Sequence, residues 1–179
     1  MADPDEVDSG GSGQVALIRA ATAADWPGIW RCLAPVIAAG ETLTVDPAMP
    51  EDEVRRYWMT VPDRGRLVVA VDAAGTVLGT ARCQPNHGGA GAHVANASFV
   101  VGPHVARRGV GRLLGEHVLD QAQADGFQAM QFNAVVETNE RAVTLWRSLG
   151  FSILTTVAEA FDHPRHGLVG LHIMHRRLR

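Results

Sequence analysis

Residues 101–112 read V-G-P-H-V-A-R-R-G-V-G-R, and this stretch decides how the chain is understood. An apolar run ends at Val101, Pro103 interrupts it, and an apolar pattern of helical period begins beyond Gly111 with Leu113, Leu114, Val118 and Leu119. Gly109 and Gly111 free the backbone to approach a ligand closely. A helix that starts here presents unpaired main-chain N–H groups and the positive end of its dipole. The amides around Gly109, Val110 and Gly111 then form a seat for a diphosphate, and Arg107, Arg108 and Arg112 add planar cationic donors around it. A Gly-rich helix start with solvated arginines is the plainer reading of the same residues. A dinucleotide fingerprint is a third, because Gly109, Gly111 and Gly115 give G-x-G-x-x-x-G and Glu137 ends the next strand. That one fails on context: the fingerprint follows its strand almost directly, whereas residues 102–108 intervene here.

Outward from this turn, residues 93–101 (HVANASFVV) and 128–136 (QAMQFNAVV) read as strands on either side of a helix over 109–126. Residues 139–149 (NERAVTLWRSL) read as a helix closed by Gly150, and residues 151–158 and 168–176 as a last strand pair around a His/Pro loop. Upstream, residues 14–19 (QVALIR) form an expected first strand. Thr22 is the expected N-cap of a helix over 23–39, with Pro27 in its first turn and Gly40 at its end. Residues 51–59 (EDEVRRYWM) are a short helix led by acids, and residues 66–72 and 76–84 flank Ala73-Ala74-Gly75 as a hairpin. The order β-α-α-β-β-β-α-β-α-β-β predicts an α/β (α+β) fold, a mixed sheet of about seven strands with helices on both faces.

Composition narrows the function. The chain has 179 residues, 46% hydrophobic and 20% charged, which suits a globular domain. Residues 1–13 carry four acids, no bases and a Gly/Ser end, and are expected to be a flexible tail ahead of one domain over 14–179. All sixteen basic residues are arginine, so every mechanism that needs a lysine is excluded: Schiff-base chemistry, a Walker phosphate loop, a protein-kinase site. The arginine and alanine bias also suggests a GC-rich bacterial genome. Net charge is −3, which argues against a nucleic-acid binder. No apolar run approaches a membrane span and no signal-peptide pattern opens the chain, so a cytoplasmic location is expected. Cys32 and Cys83 have no metal spacing and read as buried thiols; four histidines near the end (His163, His166, His172, His175) lack a zinc signature, so no metal is expected.

The turn resembles the acetyl-CoA turn of the GNAT superfamily of N-acetyltransferases: a strand ending V-x-P, then Q/R-x-x-G-x-G/A, then a helix. Val101-Gly102-Pro103 and residues 106–111 fit, except that Ala106 replaces Gln or Arg. The family's downstream N-x-x-A-x-x-x-Y-x-x-x-G-F is matched by Asn139, Ala142, Trp146, Gly150 and Phe151, with tryptophan in place of tyrosine. The element order matches from Gln14 to Leu178. Within the superfamily, the segments around Asn96, Asn133 and Leu171-His172-Ile173-Met174 are similar to fungal acetyltransferases of proline analogues such as azetidine-2-carboxylate.

The resemblance implies acetyl-CoA as cofactor, a small amine as partner, acetyl transfer as the reaction and detoxification as the role; homodimerisation is common in the superfamily. It implies that the strand over 93–101 parts from the next one and receives the pantetheine arm, with Phe99 and Val101 pairing its amides and an N–H near Val100 as oxyanion donor. Asn139 resembles the family asparagine that bonds the arm, and is equally an N-cap. Asn96 and Asn133 sit in mid-strand, where asparagine is disfavoured, and are the candidates for acceptor recognition, with a pair of core asparagines as the alternative. Glu137 shares strand parity with Asn133 and is the candidate general base; a solvated carboxylate at a helix start is the alternative. Trp146 cannot protonate a thiolate as the family tyrosine would. His163 and His166 are expected to rim the acceptor pocket, with the 41–49 loop and the 51–59 helix, including Tyr57 and Trp58, as its other wall.

Overall fold

The computed structural model describes residues 17–105 and 108–178. The acidic segment 1–13, the start of the expected first strand, and Arg107 lie outside the described residues. Seven strands form one mixed sheet: β1 Leu17–Ala20, β2 Arg66–Val71, β3 Val77–Pro85, β4 Val94–Val101, β5 Ala129–Val136, β6 Ser152–His163 and β7 Gly167–Arg177, in the order β1-β2-β3-β4-β5-β7-β6. All neighbours are antiparallel except β4 and β5. Among the described residues, four α-helices cover the two faces: α1 Trp26–Ala39, α2 Glu51–Met59, α3 Val110–Ala124 and α4 Glu140–Ser148. The expected class and strand number hold, and the strand and helix ends fall within a few residues of their expected places. The one large difference is β6, which runs on to His163 because β7 pairs it across two bulges.

Each face has its own core. Val68, Ala70, Leu114, Val118, Met130, Phe132 and Trp146 pack under α3 and α4. Ile29, Leu33, Val54, Trp58, Val69 and Val100 pack under α1 and α2. Local chemistry sets the ends. Pro27 sits in the first turn of α1, and Gly40 ends that helix at φ +62°, a left-handed conformation that costs glycine little. The Asp25 carboxylate accepts from Thr22 N and Oγ1 and takes both arms of Arg19, at 2.8 and 2.7 Å, which holds it well below the usual carboxylate range.

Cys32 and Cys83 are free and buried. Burial pushes the Cys32 thiol up to about 11 and the Cys83 thiol up to about 12, from 9.0. A folded-state value above the unfolded one means that the fold favours the protonated thiol. This stability is full below about pH 9 and is lost as pH rises through 11 and 12. Denaturant titrations from pH 7 to 10.5 should show the midpoint falling only above pH 9, and the double Cys→Ala variant should flatten that fall.

Candidate active site

β4 and β5 pair only at Val94↔Ala129 and Ala95↔Met130, and then separate. Two features make the gap. On β5 the register to β7 shifts between Phe132 and Val135, a bulge that bends the strand. Beneath the gap, Phe99 and Phe132 meet edge to face at 6.0 Å, and Trp146 of α4 lies 4.7 and 4.8 Å from their rings. The aromatics floor a cleft of about 350 Å³ lined by β4, β5, Asn139 and, opposite, Thr42–Thr44 and Tyr57.

The peptide groups of β4 face two ways. Val94 C=O accepts from Asn86 N–H, and Gly102 N–H donates to Leu78 C=O, both toward β3. The register between them is unbroken from Gly79↔Val101 to Pro85↔Ala95. Even-numbered residues therefore turn their N–H and C=O to β3, and Ala97, Phe99 and Val101 turn theirs into the gap. This corrects the expected oxyanion donor: the Val100 amide faces β3, so the amides on the gap side belong to its two neighbours.

At the far end of the gap stands the turn. Gly109 precedes α3 with φ +79°, and a Cβ built there meets nothing within 4 Å. The N–H groups of Val110, Gly111 and Arg112 open α3 with no acidic residue in its first turn. An anion fits this seat on both counts: open space at Gly109 and unopposed donors. A Cβ at Gly111 would instead point inward, 3.5 Å from Leu145 and 3.7 Å from Val101. Arg112 reaches across to Ser148 Oγ at 2.7 Å and to Glu116 at 3.4 Å, so its guanidinium ties α3 to α4. Arg108 directly precedes Gly109 and is exposed.

At the near end, Asn96 and Asn133 both line the cleft. Phe99 and Phe132 pack with the α3–α4 core while Val100 packs with the other, so alternation sends both asparagines to the α1–α2 side. Asn133 Nδ2 donates to Asn86 Oδ1 at 2.6 Å, and its Oδ1 accepts from Gln131 at 2.9 Å, which fixes its orientation. The Asn96 amide has no hydrogen-bond partner among the described residues. Asn139 caps α4, its Oδ1 accepting from Ala142 N at 3.2 Å, and the residue lines the cleft.

Glu137 does not join them. The β5 bulge breaks the parity with Asn133, and the Glu137 carboxylate accepts from Gly170 N on β7 while its own amide donates to Gly170 O. Trp58 is likewise absent from the cleft: it is buried, with Nε1 donating to Thr80 Oγ1 at 3.3 Å. Tyr57 alone of that pair reaches the wall. His163 and His166 line an adjoining cavity rather than this cleft.

Sequence reasoning missed Arg82. Its side chain is 6% exposed, lies 4.5 Å over the Tyr57 ring, and donates to Tyr57 O, Thr60 O and Gln84 Oε1. A buried cation at the C-terminal end of α2 satisfies carbonyls that the helix leaves open, and so fixes Tyr57 against the cleft. An arginine in a run of small apolar strand residues was the available signal.

Comparison with known proteins agrees with this fold. The solved GCN5-related N-acetyltransferase from Kribbella flavida superposes with a TM-score of 0.86 at 53% identity, covering 90% of this chain and 96% of that one. A phosphinothricin acetyltransferase (Pat) from Sinorhizobium meliloti, solved in complex with AcCoA, has the same fold, with a TM-score of 0.80 at 22% identity over 90% of this chain and 87% of its own. The N-acetyltransferase aca1 of Schizosaccharomyces pombe is 27% identical over 137 residues, 69% of this chain and 66% of the yeast protein, just under two thirds of its length. Residues 36–151 match the Acetyltransferase (GNAT) family, and the chain belongs to that family.

Proposed function

We propose that this protein transfers the acetyl group of acetyl-CoA to the nitrogen of a small amine, an amino acid or proline-like analogue, in a detoxifying role. One observation carries the reading: a gap between β4 and β5 with an anion seat at one end and two orienting amides at the other. The amides opening α3 take the diphosphate, with Arg108 beside it. The peptide groups of Phe99 and Val101 pair with the pantetheine arm as an added strand, and the Asn139 NH2 group donates to it. An amide of this same β4 edge donates to the oxygen of the thioester carbonyl as negative charge gathers there. Asn96 and Asn133 hold the acceptor so that its nitrogen lone pair meets that carbonyl; the C–N bond forms, the C–S bond breaks, and coenzyme A leaves as thiolate.

The proton balance falls to water. Glu137 serves β7 and acts in this scheme as a positioning residue. Trp146 has no proton to give the thiolate. Catalysis then rests on holding two reactants together in an aromatic-floored, uncharged cleft.

Release of coenzyme A, measured with amino acids, with peptides and without acceptor, tests this. Turnover with amino acids supports it, turnover with peptides alone replaces it by protein acetylation, and coenzyme A binding without turnover replaces it by a binding module. Asn133→Ala should raise the acceptor KM about tenfold, the worth of one hydrogen bond to a charged or polar ligand group, and leave coenzyme A affinity unchanged. A matching loss of cofactor affinity would refute the division of labour.

A further inference from the structure

The cleft in which transfer would occur is lined, among the described residues, by no charged side chain. That suits an amine that must be neutral to react, but an amino-acid acceptor also brings a carboxylate, and the cleft offers it no counter-charge. Beside the cleft, sharing Thr42 and Asn139 with it, lies a second cavity of about 370 Å³ between the α1–α2 loop, the start of α4 and the β6–β7 turn. Its polar groups are unevenly matched. Arg165 and Glu41 neutralise each other through paired contacts of 2.9 Å that join the turn to the loop. Arg141, in the first turn of α4, has no ion-pair partner among the described residues. Glu140 also lines the cavity, but successive residues on a helix point apart, so it does not quench Arg141.

The fifth group is His163, whose ring lies 4.6 Å from that of His166. It is 4% exposed, and its Nδ1 accepts from Arg165 N at 3.2 Å. The neutral ring that makes this bond carries its proton on Nε2, and no protein group among the described residues accepts it. An unpartnered imidazole N–H on a mostly buried ring and an unopposed guanidinium thus line one cavity that opens beside the reacting centre.

Resting on the function proposed above, we propose that this cavity is the anion subsite of the acceptor. Arg141 pairs with the acceptor's carboxylate, and His163 Nε2–H donates to it. The acceptor is then an amino acid held by its charged end, with its nitrogen delivered past Asn139 to Asn96 and Asn133. The α1–α2 loop and the β6–β7 turn, locked by Glu41–Arg165, set how far the two ends stand apart.

The test compares an amino acid with its carboxamide on the coenzyme A-loaded protein, by calorimetric binding and by turnover. Wild type should favour the amino acid at least about tenfold, and Arg141→Gln, a surface change, should abolish that preference by weakening the amino acid alone, as expected when a charge-assisted contact is lost. His163→Gln, whose side-chain N–H can replace Nε2–H, should keep part of the preference, and His163→Phe should lose it; thermal melting confirms that each variant is folded. A preference that survives Arg141→Gln, or a wild type that binds the two compounds equally, overturns the subsite. Discriminating binding with no turnover of any amine upholds the subsite and defeats the transfer reading instead.

Discussion

Replacing Trp146 with alanine is expected to remove about 3–5 kcal/mol of folding stability, the cost of truncating a large buried aromatic. The indole is 7% exposed and touches the rings of Phe99, Phe132 and Phe151 at centroid distances of 4.7, 4.8 and 6.1 Å. A Cβ at Gly115 of α3 would come within 3.1 Å of it, so the indole also sets how closely α3 and α4 approach. Its loss leaves a cavity that two clamped helices cannot close. The same ring floors the cleft, so the variant should lose coenzyme A affinity as well. Trp146→Phe separates the two roles: it keeps most of the packing and should retain turnover, because the scheme takes no proton from the indole. Urea titrations and coenzyme A release on both variants check this; a large loss of turnover in stable, folded Trp146→Phe would return a chemical role to the residue.

The second large effect is expected at Gly109. At φ +79° a β-branched side chain is strained by about 1–2 kcal/mol, and it would fill the open space that the anion needs. Gly109→Val should weaken coenzyme A binding by about a hundredfold, or roughly 3 kcal/mol. Gly111→Ala is the control. Its added methyl would rest against Leu145 and Val101 at ordinary contact distances, away from the seat, so affinity should change by less than about threefold and the helix should gain slightly in stability. The two glycines look equivalent in the sequence and differ in the direction their missing Cβ would take.

That contrast shows where sequence reading stops. Strand and helix periods, the Gly-rich turn and the Asn139-to-Phe151 pattern were enough for the sheet and its helices, because each depends on local spacing. Glu137 was misplaced because parity counting assumes an unbroken strand, and the bulge between Phe132 and Val135 inserts a residue that no local pattern announces. The resemblance puts the oxyanion donor near Val100, and only the bonds at Val94 and Gly102 fix the phase that excludes Val100 itself. Arg82, Arg141 and His163 owe their settings to partners 22 to 25 residues away or to cavities shared by three elements, which a linear reading does not bring together.

The proposed transfer requires main-chain amides at the start of α3 to hold the diphosphate of coenzyme A. Calorimetric titration with coenzyme A and with pantetheine, the same arm without diphosphate and nucleotide, tests it most directly. Pantetheine should bind at least about a hundredfold more weakly in wild type, and Gly109→Val should bind both ligands with nearly the same low affinity. Equal affinities for the two ligands in wild type, or a Gly109→Val protein that still prefers coenzyme A as strongly, would contradict the account.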